Sequence, residues 1–139
     1  MRSNASHTYI SDIYYHIGLS YCNRHKYEKS IFPYSKAIEF IPNELKYRHE
    51  RAKAYQILGE HDLAIKDFSD VIRMNPRNAH AYFRRAFSYK AQGKYELAAT
   101  DFEKAKLVDP LDPSLVVNYS KLDKIDVIVL CKPGEEKEY

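Results

Sequence analysis

The sequence predicts an all-α fold, a right-handed α-α superhelix of stacked helical hairpins. Three observations predict it. Residues recur with a fixed spacing of 34: Tyr21, Tyr55 and Tyr89; Gly18, Ala52 and Ala86; Ser30, Ala64 and Ala98; Tyr34, Phe68 and Phe102. Within a period the residues fixed in phase keep helical i, i+3, i+4, i+7 spacing, as Tyr82, Arg85, Ala86 and Tyr89 do. Each period also closes on a proline in the same phase, at Pro42, Pro76 and Pro110. One helical hairpin cannot bury its apolar face alone, whereas a stack of hairpins can.

Taking Ser11 as the first position, the repeats run 11–44, 45–78 and 79–112, preceded by an N-terminal extension, 1–10, too short for a further repeat. In the third, Gly93 breaks the chain between two helices, and Ala98, Phe102, Ala105 and Val108 carry the second. Asp109-Pro110 ends it, because proline disfavours α geometry in the residue before it. The second repeat follows the same plan, with Gly59 at its turn and Asn75-Pro76 at its end. The first departs from it. Its turn, Asn23-Arg24-His25-Lys26, lacks glycine. Its second helix contains Pro33, which lacks a backbone donor and is expected to kink that helix or delay its start.

After the repeats, Asp112-Pro113 reads as an N-cap with proline at the first helical position. Leu115, Val116, Tyr119 and Leu122 make an apolar stripe, so 113–124 is expected to be a capping helix. Ile125 to Cys131 is β-branched and strand-like, either folded on the stack or open to a partner's edge. An extended, disordered tail follows to Tyr139.

The chemistry of catalysis is missing. The sequence holds no phosphate-cradling glycine loop, no nucleophile elbow and no paired zinc-ligand motif. Cys22 and His25 are the nearest approach to a metal pair, and no second pair accompanies them. No metal, no cofactor and no enzymatic activity are expected. Asp62, Asp67, Asp70, Asp101 and Glu103 read as solvated faces or helix-start charges. A net charge of +3 mildly favours an acidic partner and falls short of a nucleic-acid binder's footprint. Two cysteines in unrelated segments suit a reducing compartment. With no apolar leader or membrane-spanning run, a cytoplasmic site is expected, nuclear and cytoskeletal sites being compatible. Thirteen tyrosines against no tryptophan point to broad amphipathic surfaces.

The pattern resembles the tetratricopeptide repeat family. Tyr14, Ile17, Gly18, Tyr21, Ser30, Tyr34, Ala37 and Pro42 carry the likeness in the first repeat. Tyr55, Ala64, Phe68, Val71 and Pro76 carry it in the second. Tyr82, Ala86, Tyr89, Ala98, Phe102, Ala105 and Pro110 carry it in the third. The resemblance implies a concave face lined by the first helix of each repeat. Its exposed positions would be Tyr15 and Leu19, with Asp12, His16, Cys22 and Asn23, in the first repeat. In the second they would be Lys46, His49 and Lys53, with Glu50, Gln56 and Ile57. In the third they would be His80, Phe83, Arg84, Phe87 and Lys90, with Ala91. Cations beside aromatics suit an extended peptide with a carboxylate and an apolar anchor.

The resemblance also implies a test for binding the acidic tails of Hsp70 or Hsp90. That activity uses a clamp of two lysines, two asparagines and one arginine. Arg84 matches the arginine; Tyr15, Leu19, Glu50 and His80 stand at the other four positions. Glu50 would repel a carboxylate, so the expected partner is a protein or peptide other than these tails. Two alternatives follow from other features. A structural subunit of a cytoskeletal or ciliary array would use the convex face and the C-terminal segment. RNA binding would use the basic-aromatic patch. Self-association of two copies would also help so short a stack.

Overall fold

The protein is described here by a computed structural model over residues 2–109. Among these residues the secondary structure is helical throughout, without a strand: α1 (Arg2–Asn23), α2 (Tyr27–Phe40), α3 (Leu45–Ile57), α4 (His61–Met74), α5 (Ala79–Ala91) and α6 (Tyr95–Val108). The capping helix expected at 113–124, the strand-like 125–131 and the tail lie outside the described residues. The chain divides into two compact units, residues 1–67 and 68–139, at a point inside α4.

Three turns share one backbone device. After α1, Lys26 N–H donates to the carbonyl of Tyr21 and His25 N–H to that of Cys22. The same pair recurs 34 residues on, from Glu60 to Tyr55 and Gly59 to Gln56, and again from Lys94 to Tyr89 and Gly93 to Lys90. This is the six-to-one, five-to-two closure that satisfies a helix's last carbonyls and needs one left-handed residue. Gly59 and Gly93 fill that position with φ of 81° and 77°. In the first turn His25 takes it, at φ 59°. A non-glycine residue there carries about 1 kcal/mol of strain. Each second helix then opens with an acid in its first turn, Glu28, Asp62 and Glu96, facing the positive end of the helix dipole.

In the first unit α2 packs on both α1 and α3. Tyr34 is fully buried between helices, and Gly18 is what admits it. A Cβ on Gly18 would stand 2.5 Å from the Tyr34 ring. Ala37, Ile38 and Tyr47 continue the core, with Tyr14, Tyr15 and Ile41 against it. Tyr47 keeps its hydroxyl satisfied at buried Ser11, 3.1 Å away. Pro33 neither delays nor divides α2, which runs unbroken from Tyr27 to Phe40 with the ring buried. The delayed start expected of it is not observed.

In the second unit α5 packs on α6. Ala86, Phe87, Ala98 and Phe102 form one core cluster; Ala79, Tyr82 and Ala105 form another, with Ile72 and Val108 against it. Asn78 caps α5, its side chain accepting from Ala81 N–H at 3.0 Å.

Candidate functional site

In the first unit, α1 and α3 carry five of the expected groove residues. Lys46 is exposed, and its Nζ lies 5.1 Å from the centre of the Tyr15 ring and 5.9 Å from that of Tyr47. Tyr15 and Tyr47 are themselves 5.2 Å apart. An ammonium over two phenol faces is held by their quadrupoles and remains open to a partner's carboxylate. Burial first, then the negative charge of Glu50, pushes the Tyr15 phenol above its ordinary value, so it stays a neutral donor. Lys53 pairs with Glu50 at 3.5 Å. That pairing offsets both the cation and the carboxylate expected to repel an acidic ligand. Leu19 and His49 are half-buried nearby in sequence.

In the second unit, α5 carries the other five. His80 is exposed, and Phe83 and Arg84 are half-buried. Phe87 and Lys90, expected among the exposed positions, are buried instead. The reason for Phe87 is an aromatic triad. The rings of Phe83, Phe87 and Phe102 meet edge to face at 5.0, 5.4 and 5.5 Å, an arrangement that adds to the stabilisation from area alone. Lys90 lays its ammonium 3.2 Å from the centre of the Tyr95 ring on α6. Its stem is thereby covered and its charge turned toward the hairpin.

Two polar networks went unrecognised in the sequence. Arg51 donates to both carboxylate oxygens of Asp67, at 2.7 and 2.8 Å, and to Ser35 Oγ at 3.0 Å. Arg85 repeats this with Asp101 and Ser69, at the same three distances. Asp67 and Asp101 are 1% and 2% exposed, so the reading of both as solvated is corrected. A buried carboxylate persists because a bidentate guanidinium replaces its water. Burial works against the charge on Arg85, and Asp101 more than offsets it, leaving the guanidinium above its ordinary value. Its plane also lies over Tyr82 and Tyr89, at 5.8 and 5.4 Å. The signal was present: Arg51 and Arg85, Asp67 and Asp101, Ser35 and Ser69 are each 34 apart.

Among the described residues no group of three or more His, Cys, Asp or Glu side chains is placed to hold a metal ion. Cys22 Sγ lies 3.3 Å from the Tyr34 hydroxyl, and His25 Nδ1 lies 3.0 Å from that of Tyr27, so each faces its own tyrosine. No described helix is long and apolar enough to cross a membrane.

Family models described as tetratricopeptide repeat match residues 45–78 and 79–112. Among solved structures the chain is similar to the first TPR of Spaghetti (RPAP3) bound to an HSP90 peptide. The two are 24% identical, with 82% of this chain and 90% of that one covered, at a TM-score of 0.75. It is similar to the Arabidopsis OM64 TPR domain at 20% identity, covering 96% and 99%, with a TM-score of 0.74. The first TPR domain of human RPAP3 gives 23%, 95% and 99%, and 0.74. At these identities the likeness is one of fold. No curated protein sequence matches the chain.

Proposed function

From the premise that the chain is a tetratricopeptide repeat protein with that all-α fold, we propose that it is a non-catalytic adaptor, capturing an acidic segment of another protein through an apolar anchor. Repeats of this family mediate protein–protein interaction, and structures similar to this chain hold peptides such as SRMEEVD and SGPTIEEVD. The observation that carries the reading is Lys46, exposed above the Tyr15 and Tyr47 rings. It offers a carboxylate a cation and, beside it, an aromatic surface for an apolar side chain. In the second unit α5 carries Arg84, His80 and Phe83, of which His80 is exposed and the other two half-buried.

The ligand is not expected to be a chaperone tail of the SRMEEVD kind. Tyr15, Leu19, Glu50 and His80 hold the positions where the family's carboxylate clamp has lysine or asparagine. The test is a screen of acidic twelve-residue peptides, each with one leucine or phenylalanine, followed by fluorescence anisotropy on the binders. Lys46→Glu should weaken binders held by the first unit and Arg84→Glu binders held by the second, each at least about tenfold, equivalent to ~1.4 kcal/mol, and SRMEEVD should bind more weakly than the best binder. Affinity untouched by both substitutions would reject the proposal. Tight SRMEEVD binding would replace it with a chaperone-tail reading.

A further inference from the structure

The charges near Lys46 limit what it can hold. Of the four bases on α3, Arg48 donates to the Pro42 carbonyl, Arg51 to Asp67 and Lys53 to Glu50. That leaves Lys46, exposed over the rings of Tyr15 and Tyr47, to meet an anion. Three acids stand near the same rings. Glu50 follows Lys46 by four residues, one turn along the same side of α3. Glu44 precedes it by two, at the N-cap of α3, and its side chain makes no capping hydrogen bond. Asp12 precedes Tyr15 by three on α1, on the same side of that helix, and is exposed. Their charge reaches the rings. Burial first, then Glu50, Tyr47, Glu44 and Asp12 in that order, push the Tyr15 phenol up. Lys53 answers Glu50 at 3.5 Å. His16 stands 3.6 Å from Asp12 and offsets it only when protonated.

One open ammonium among three carboxylates sets a number as well as a sign. A partner's first carboxylate meets Lys46. Successive residues of an extended segment are about 3.3 Å apart, so a second and third carboxylate fall beyond the ammonium and within reach of the acids around it. Like charges so placed repel, and repulsion is how a surface rejects a competing ligand. Glu50 is matched by Lys53, so the discrimination falls to Asp12 and Glu44. The chain's net charge of +3 works in the opposite direction, drawing polyanions in at long range. Resting on the function proposed above, in which Lys46 takes the partner's carboxylate, we infer that Asp12 and Glu44 are specificity-determining residues. They make the first unit selective for a segment with a single carboxylate beside its apolar anchor, and they reject runs of acids.

The probe is a twelve-residue peptide from the screen above, capped at both ends, with one glutamate beside a leucine and weakened by Lys46→Glu. Fluorescence anisotropy on the full chain compares it with the same peptide carrying three successive glutamates. The run should bind at least about threefold more weakly, the scale of a few exposed charge contacts, although it is the more acidic peptide. Glu44→Gln with Asp12→Asn should bring the two affinities level or reverse their order. Glu44→Gln removes no capping bond, so by itself it should leave the thermal melt unchanged. Equal or tighter binding of the run by the unsubstituted chain overturns the inference and leaves the proposed function standing. So does a gap that the paired substitution fails to close. The inference also falls if no peptide of the screen loses affinity to Lys46→Glu; the proposed function falls with it only if Arg84→Glu is equally without effect.

Discussion

His25 shows how one residue can keep a turn that its neighbours make with glycine. Its backbone adopts the same hydrogen bonds as Gly59 and Gly93, at φ 59°, against the steric cost of a Cβ. His25→Gly should therefore stabilise the protein slightly, by up to about 0.5 kcal/mol once the greater freedom of glycine in the unfolded chain is set against the relieved strain. A higher urea midpoint at unchanged slope would show it; a lower one would mean that the contact with Tyr27 outweighs the strain. His61, half-buried at the start of α4, has a different consequence. Burial lowers its ring below the ordinary value of 6.5, and Asp62 and Glu60 only partly counter that. Above pH 7 the ring is neutral in both states. As pH falls through 6.5 the unfolded chain takes up the proton while the folded one resists, so stability is lost on acidification. His61→Gln should flatten that part of the stability profile between pH 7.5 and 5.5, and an unaltered profile would contradict it.

The helices owe their identity to repeat phase, and their fixed partners to the two arginine networks. Arg85 has lost water and regained it as two carboxylate bonds, a hydroxyl bond and two aromatic faces. Removing one partner leaves the other charged and dry. Asp101→Asn should thus destabilise by about 3–5 kcal/mol, whereas Arg85→Met with Asp101→Leu should cost far less. Denaturant unfolding of the three proteins decides it, and equal losses in the single and double variants would refute the assignment. The first hairpin already carries an apolar version, with Ile17 and Pro33 at those positions. The element scale is also where a sequence reading reaches its limit. Periodicity places Phe87 on α5 correctly but cannot say that Phe83 and Phe102 would enclose it. Nor can it say that Pro33 would be absorbed within α2, whose flanking residues are held by packing against α1 and α3.

Among the described residues α1 packs with α2, α2 with α3 and α5 with α6, each a neighbour in sequence. Closing such short loops costs little entropy before contacts form, so refolding should be complete within milliseconds. Stopped-flow fluorescence of the tyrosines measures it, and a dominant phase lasting seconds would be inconsistent with the topology. Fold class, helix order and turn positions were legible because they depend on local spacing: 34-residue phase, helical periodicity, and glycine or proline at the breaks. The aromatic and cationic character of α3 and α5 was legible for the same reason. Which acids are buried was not. Asp62, Asp67 and Asp70 share one helix and one chemistry, and only the approach of Arg51 from α3 distinguishes Asp67. Likewise Lys46 and Lys53 look alike in sequence, yet one lies exposed over two rings and the other is matched to Glu50. Sequence by itself determined that this chain folds into helical hairpins, because backbone geometry follows from nearby residues. The tertiary structure alone decided which side chains face water, because burial is set by what a distant segment brings against them.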